Sequence, residues 1–442
     1  MLELIEAFQN SIGSLFLLML LLMTHIYFTV RLKFIQRRIP EGIRLSFSKG
    51  EGEAGGMSPF GALATSLAAT IGTGNIIGIS AAIAIGGPGA VFWCWVTGIF
   101  GIATCYAECF LSVKYRVKKE GGGYAGGPMY VLEGVLHKRK LAVLFAFLTV
   151  AASLGIGSSV QSHSICAAVS ENFPLSPHLT GIIIALFAGS IILGGAGQIA
   201  KACTFLVPFM SLFYFGGCLF LLWTNGEYVL QAVSVIVKSA FTSKSVAGGI
   251  AGTAVIMGMR TGLSKGLFTN EAGMGSIAIS AAEAKTTSPV RQGIVSMTGV
   301  FWDTVVMCAI TGITIVSSML KMPQSFGNVK EDRLCFLAFS EIPGGEYILA
   351  VSLVLFAFAT IIGWSYYGEC AAGYLGGERG IGWYKLMYIV SVYLGAVLSL
   401  ETVWNLADLF NSFMALPNLI SLFLLRKVII RETVCEGGRN MV

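Results

Sequence analysis

The chain has 442 residues, of which 55% are hydrophobic and only 12% are charged. The charged fraction is about half that of an average globular protein, so the composition excludes an ordinary water-soluble protein and indicates a helical membrane protein with many spans. The 55 glycines show no Gly-X-Y period or low-complexity tract, and the basic residues behind the net charge of +6 lie between apolar runs, which excludes a collagen, a disordered chain and a nucleic-acid partner.

Eleven apolar stretches are long enough to cross the ~30 Å hydrocarbon core of a bilayer as helices. They lie near residues 12–30, 58–85, 91–115, 141–168, 178–195, 202–223, 246–264, 291–317, 346–371, 383–398 and 402–425. The segment before the first stretch carries Glu3 and Glu6 but no basic residue. We therefore expect the first stretch to stay as a membrane helix and not to be cleaved as a signal peptide.

The basic residues predict the orientation of the chain, because Lys and Arg are retained on the cytoplasmic side of a membrane. If the amino terminus is outside, 24 of the 29 Lys and Arg residues are cytoplasmic, a set that includes Arg260 and Lys265. We therefore predict an outer amino terminus, a cytoplasmic carboxyl terminus and an odd number of spans in the cell membrane.

After the first helix, the other ten form two sets of five, which must enter the membrane from opposite sides, as in an inverted repeat. We accordingly predict five parts of the chain: an N-terminal helix and cytoplasmic linker (1–45), a first repeat (46–223), an extracellular connection (224–245), a second repeat (246–430) and a cytoplasmic tail (431–442).

The leading helix of each repeat is interrupted by glycines. The first interruption reads IGTGN at 71–75, and the second lies near 248–258, where GGIAG at 248–252 continues toward Gly258. Broken helices in matching positions of two repeats point to a substrate site at the midplane, since free backbone N–H and C=O groups are not tolerated in lipid. The alternative is that these glycines only allow neighbouring helices to pack closely.

Three stretches carry a resemblance to a known family: ATIGTGNIIGISAAIAIGGPGAVFWCWVTGIFGIATCYAE (69–108), KGLFTNEAGMGS (265–276) and FAFATIIGWSYYGE (356–369). They resemble the alanine or glycine:cation symporters, which belong to the amino acid-polyamine-cation superfamily with the leucine-transporter fold. The resemblance covers about residues 45–430 and departs from the family pattern at Cys94 and Gly98, both outside the first interruption. It implies an all-α, leucine-transporter-like five-plus-five inverted repeat with one additional N-terminal helix, in a prokaryotic inner or plasma membrane.

The first interruption has the chemistry to bind a zwitterionic amino acid. A half-helix that begins near Asn75 offers N–H groups and the positive end of its dipole, so Thr73 and Gly74 lie where a carboxylate would dock. The resemblance adds Gln161 as a residue that contacts the substrate and Trp364 as an aromatic wall of the pocket. Gln161 could instead only bond a neighbouring helix, and Trp364 could be a packing or interfacial residue.

Two further residues, Thr253 and Met257, are candidates for the pocket by position alone, since they follow the second predicted interruption. Alignment with the broken helix of the superfamily implies that the carbonyls of Ala68 and Ile71 hold sodium with the hydroxyl of Thr360, because a hard cation prefers oxygen ligands. Thr360 stands four residues before Trp364 and so on the same helical face as the pocket, which makes it a candidate substrate-binding residue as well. The family commonly has a Ser/Thr pair here, whereas this chain has alanine at 359, so one ligand is missing.

Asp303 is a carboxylate within an apolar run, which is costly unless the group is paired or functional. With Asn75 it could form a second cation site or a proton site, or it could be a structural hydrogen-bond acceptor. Asn270 and Glu271 follow the predicted cytoplasmic end of the seventh span, where we expect them to shape an inner gate or cap a short helix.

The resemblance implies that the chain couples sodium movement to the uptake of alanine or glycine, with these two ligands and the lipid bilayer as its partners. A proton-coupled symporter of the same fold, with Asp303 or Glu271 as the proton site, is the nearest alternative. A channel would need a continuous polar stripe along several helices, and a membrane-embedded enzyme would need a catalytic motif that the sequence lacks. We expect no cofactor other than the transported sodium ion and no obligatory protein partner.

Overall fold

A computed structural model describes residues 12–50, 56–119, 122–242, 251–326, 333–398 and 401–439. The described chain is mostly helical. Its α-helices are α1 (Ile12–Arg31), α2 (Ile39–Ser46), α3 (Pro59–Thr70), α4 (Ile77–Gly86), α5 (Gly89–Lys114), α6 (Pro128–Gly134), α7 (Arg139–Ala152), α8 (Val160–Asn172), α9 (Pro177–Ile192), α10 (Gly195–Thr224), α11 (Gly226–Ser239), α12 (Ala251–Asn270), α13 (Ser276–Ala282), α14 (Pro289–Val300), α15 (Ala309–Lys321), α16 (Leu334–Phe339), α17 (Gly345–Val397), α18 (Glu401–Leu424) and α19 (Arg426–Arg439). Two short antiparallel strands, β1 (Val117–Lys118) and β2 (Tyr124–Ala125), form a hairpin after α5.

Each of the eleven predicted stretches corresponds to a helix, but several of these helices are interrupted. A π-helical turn joins α7 to α8 at Ser153–Ser159, and another joins α14 to α15 at Phe301–Cys308. The ninth and tenth stretches fall in α17, which has a kink at Gly377. By length and composition, six of the described helices can cross a membrane, or eight if each of two bent pairs is counted as one span.

The first helix of the first repeat is broken where the sequence predicts. Ser58 caps the start of α3, since its Oγ accepts the N–H of Gly61 at 2.9 Å. The chain becomes extended at Ile71 and Gly72, makes a 3₁₀ turn at Thr73–Asn75 and continues as α4. The two parts of this span are bent by 60°.

The predicted second interruption is wrong within the residues that the structure describes, and residues 248–250 lie outside them. From Ala251 to Asn270 the helix α12 is continuous. Its glycines serve close packing instead: a Cβ at Gly258 would lie 2.6 Å from the carbonyl oxygen of Gly86, and one at Gly262 would lie 2.2 Å from that of Ala90.

The span breaks later, between α12 and α13. Glu271, Gly273 and Gly275 have φ values of 52°, 86° and 86°, in the left-handed region that ends helices. Arg260 and Lys265 were counted as cytoplasmic residues in the predicted orientation. They lie instead within α12, before the break.

Candidate substrate and cation site

The first break releases the two carbonyl groups that were predicted to bind sodium. In a continuous helix, the N–H groups of Gly72 and Asn75 would donate to the carbonyls of Ala68 and Ile71. Here the N–H of Gly72 donates to Asn75 Oδ1 at 2.9 Å, and the N–H of Asn75 donates to the carbonyl of Gly72 at 3.2 Å. The carbonyl oxygens of Ala68 and Ile71 thereby lose these helical partners.

The hydroxyl of Thr360 lies against this break. Thr360 is buried in α17 and its Oγ1 donates to the carbonyl of Phe356 at 3.1 Å, which leaves the oxygen lone pairs for another partner. A Cβ at Gly72 would lie only 2.6 Å from this oxygen. Glycine at position 72 thus permits the hydroxyl to approach the backbone of the break.

The predicted substrate residues Thr73, Gly74 and Gln161 also meet at the break. Thr73 Oγ1 donates to Gln161 Oε1 at 3.1 Å, and Gln161 Nε2 donates to the carbonyl of Ile156 in the first π-helical turn at 3.2 Å. On the other side, a Cβ at Gly74 would lie 3.6 Å from the Oγ1 of Thr269, near the end of α12. Nothing in the sequence relates Thr269 to Gly74, so this contact was not predicted.

Trp364 is fully buried, with Tyr367 edge-on to its ring at a centroid distance of 5.6 Å. A Cβ at Gly157 would lie 2.4 Å from the Cβ of Trp364, so the indole stands against the first π-helical turn. This turn also receives the hydrogen bond from Gln161. Trp364 and Gln161 therefore share a wall, and π-helical turns of this kind are frequent at functional sites.

Asn75 and Asp303 are directly bonded. Asn75 Nδ2 donates to Asp303 Oδ1 at 2.8 Å and to its carbonyl oxygen at 3.1 Å, while Thr304 Oγ1 donates to Asp303 Oδ2 at 2.6 Å. Asp303 lies in the second π-helical turn. Both carboxylate oxygens thus accept hydrogen bonds, an arrangement that ties the first break to this turn.

The structure does not bring Thr253 and Met257 into this cluster. The side chain of Met257 is half exposed. With a rise of 1.5 Å per residue along α12, the Cα of Met257 lies about 18 Å from that of Thr269 and the Cα of Thr253 about 24 Å from it. Both were chosen because they follow an interruption at 248–258, and the break is instead at the other end of the helix.

Asn270 and Glu271 are also placed differently from the prediction. They are buried at the second break, and not beyond the cytoplasmic end of a span. Asn270 Oδ1 accepts the N–H of Ala272 at 3.0 Å, and Glu271 Oε2 accepts the hydroxyl of Ser276 at 2.6 Å. Their side chains thus hold the chain between α12 and α13.

Comparison with known proteins places this chain in a family. The sequence profile of the sodium:alanine symporter family matches residues 1–435. The sodium/alanine symporter AgcS of Methanococcus maripaludis is 44% identical over 98% of this chain and 96% of its own. The probable sodium/glutamine symporter GlnT of Bacillus subtilis is 38% identical over 95% of this chain and 87% of its own.

The fold is also found among solved structures. The crystal structure of MhsT in complex with L-phenylalanine matches with a TM-score of 0.59 and 14% sequence identity, over 86% of this chain and 90% of that one. At this level of identity, the likeness concerns the fold alone.

Proposed function

The chain belongs to the sodium:alanine symporter family, and from this premise we propose that it couples inward sodium movement to the uptake of alanine or glycine. At the coarser level, it is a cation-coupled amino acid symporter that crosses the membrane several times, and it is not an enzyme. The sodium ion, the small substrate, the outer amino terminus and the roles of individual residues are parts of the proposal.

The observation that carries the sodium proposal is the pair of carbonyls released at the first break. The oxygens of Ala68 and Ile71 lose their helical N–H partners, and the hydroxyl oxygen of Thr360 lies against the same backbone. Three neutral oxygen atoms near a helix break suit a hard monovalent cation better than a transition metal. Sodium bound here would hold α17 against the broken helix.

The substrate proposal uses the other side of the same break. The N–H groups at the start of α4, with Thr73 and Gly74, would receive the carboxylate of the amino acid. The amide of Gln161 has both an acceptor and donors for a zwitterion, and Trp364 would limit the size of the side chain. Since both ligands would order the same segment, each would raise the affinity for the other. Rocking of the two broken helices against the other helices would then expose the site alternately.

Proton coupling is the second candidate function. The hydrogen bonds of Asp303 give little support to a proton site at that residue. Both oxygens of that carboxylate accept hydrogen bonds from Asn75 and Thr304, as expected for a structural acceptor. One relative is named a probable sodium/glutamine symporter, so a larger substrate is also tested. The experiment therefore has to distinguish both the coupling ion and the size of the substrate.

The test is uptake of radiolabelled alanine, glycine, serine and glutamine into proteoliposomes that contain the purified protein, with and without an inward sodium gradient. We expect a sodium gradient to drive uptake of alanine or glycine, and excess unlabelled substrate to compete. Sodium-independent uptake that collapses with the pH gradient would favour the proton-coupled alternative. Preference for glutamine would contradict the small-substrate proposal, and transport of none of the four would overturn the function.

A further inference from the structure

Three buried polar atoms without a hydrogen-bond partner among the described residues belong to side chains around the second break. They are Oε1 of Glu108 on α5, Nε2 of His25 on α1 and Nδ2 of Asn270 at the end of α12. Buried polar groups are almost always paired, because leaving one unpaired is costly. Three such atoms around one break therefore point to a ligand-binding role for it.

The other oxygen of Glu108 holds the second break in place. Glu108 Oε2 accepts the N–H groups of Gly273 and Gly275, each at 3.1 Å, and Nδ2 of Asn418 from α18 at 2.8 Å. Within the described residues no Lys or Arg forms an ion pair with it. One oxygen of this carboxyl group is therefore fully engaged and the other is free to carry a proton.

His25 lies on the same side of the break as Glu108. Its Nδ1 is 2.8 Å from the Oγ1 of Thr104, which is one helical turn before Glu108 on α5. A Cβ at Gly273 would lie 3.6 Å from the Cε1 of His25 and 3.5 Å from the Cγ2 of Thr104. The imidazole therefore packs against the break, with its Nε2 on the side of Gly101.

Gly101 lets α5 lie close to the second break. A Cβ there would lie 3.2 Å from the Cβ of Ala272, 3.7 Å from the Nε2 of His25 and 3.7 Å from the Oδ1 of Asn270. The break is next to a cavity of about 300 Å³ between α1, α12 and α18, whose wall includes Leu21, Met274, Lys265 and Asp408. Leu21 also packs against Gly273. The cavity thus reaches the break at Met274.

We propose that Glu108 is a proton-binding site at the second helix break, with its unpaired Oε1 as the atom that takes the proton. A hydronium ion in the cavity gives its proton to Oε1, so one O–H bond forms on Glu108, one breaks in the hydronium ion and a water molecule remains. The carboxyl group changes from one negative charge to none. The hydrogen bonds from Gly273 and Gly275 then lose their charge assistance and weaken, so proton binding loosens the break.

The titratable groups that face Glu108 agree with this role. His25 comes from α1 and Glu271 from the break, while α18 contributes the neutral Asn418. Cys105 and Cys109 are its neighbours on α5 itself. The negative charge of Glu271 disfavours a second one on Glu108, and none of these groups is a permanent cation that would keep Glu108 ionised.

The first test is infrared spectroscopy of the full-length protein in lipid, titrated from about pH 9 to about pH 5, across the range that perturbed carboxyl groups and histidine cover. The wild type should gain a protonated-carboxyl band that is absent from Glu108→Gln, whose amide can still accept the N–H groups of Gly273 and Gly275. Glu171→Gln is the matched control, since it makes the same change at an exposed ion pair with Arg333, and it should keep the band.

The second variant is Asn418→Leu, which removes the donor at 2.8 Å from Oε2 and does not depend on the folding of Glu108→Gln. Its band should appear at about a tenfold lower proton concentration, because the ionised form loses a hydrogen bond. A wild type without the band, a band that persists in Glu108→Gln, or an unchanged midpoint in Asn418→Leu would each overturn the proposal. The infrared measurement uses no substrate. Its result is therefore independent of whether sodium-coupled uptake is observed.

Discussion

At the scale of single residues, the oxygen of Thr360 bears most directly on the coupling ion. We expect Thr360→Ala to raise the sodium concentration for half-maximal alanine uptake by about tenfold, which corresponds to the loss of about 1.4 kcal/mol of binding free energy. The reason is that the variant removes one of three proposed ligand oxygens and leaves the two carbonyls of the break. The measurement is initial uptake in proteoliposomes as a function of sodium concentration.

Ser352→Ala provides the control for this variant. Ser352 is a buried residue of the same helix whose hydroxyl also donates to the carbonyl four residues earlier, at 2.7 Å, so its replacement removes a similar bond far from the break. Its sodium dependence should stay at the wild-type value. If Thr360→Ala behaves like Ser352→Ala, the hydroxyl is not a sodium ligand.

The sequence was informative about residues whose chemistry is local. The run Gly72-Thr73-Gly74 favours a break, the family resemblance adds Gln161 and Thr360, and the structure brings Thr73 and these two residues to the break. Asp303 was named with Asn75 because a carboxylate in an apolar run is costly unless it is paired or functional, and the two side chains are bonded at 2.8 Å. Thr269 contacts the break only because helices that are far apart in the sequence pack there, and one unaligned sequence contains no signal for that contact.

At the scale of elements, the glycines of α12 set how closely it packs on its neighbours. Gly262→Ala would place a Cβ 2.2 Å from the carbonyl oxygen of Ala90, and backbone cannot move aside as a flexible side chain can. We expect the variant to lose about 1–3 kcal/mol of stability, seen as a lower melting temperature of the detergent-solubilised protein.

Gly216→Ala is the matched variant for this comparison. Gly216 is also in the middle of a long helix, but a Cβ there meets nothing within 4 Å, so alanine should be neutral or slightly stabilising. Equal melting temperatures for Gly262→Ala and the wild type would mean that α12 and α5 are far enough apart at Gly262 to accommodate a methyl group.

These glycines also explain why one break could be predicted and the other could not. Closely spaced glycines mark unwound backbone at 71–75 and close helix packing at Gly258 and Gly262, and the sequence pattern is similar in both. The true second break at Glu271–Gly275 follows Lys265 and Asn270, and polar residues at the end of an apolar run resemble a loop. Its signal was the pair Gly273 and Gly275, which follow Asn270 and Glu271, the residues that were predicted to lie after the cytoplasmic end of the seventh span.

At the scale of the whole molecule, both broken helices are tied together at the end that the topology predicts to be cytoplasmic. The N–H of Met57, before α3, donates to the carbonyl of Glu283, after α13, at 2.9 Å, and the N–H of Lys285 donates to the carbonyl of Met57 at 2.8 Å. Lys119, after β1, forms an ion pair with the buried carboxylate of Glu283 at 2.9 Å. Alternating access requires this connection to open when the site faces the cytoplasm.

We therefore expect Lys119→Met to favour the cytoplasm-open state. An ion pair worth about 1 kcal/mol shifts an equilibrium by about fivefold. The reporter is Ser66→Cys, because Ser66 is buried and bonds Ser280 between α3 and α13 at 2.6 Å. Its labelling by an impermeant thiol reagent in inverted vesicles, with Cys370 and Cys435 replaced by Ser, should become about fivefold faster.

Lys114→Met is the control variant. It removes the ion pair with Glu432 at 2.7 Å at the same end of α5 but does not touch either broken helix. Equal labelling of the two variants would show that the Lys119–Glu283 pair does not hold the closed state.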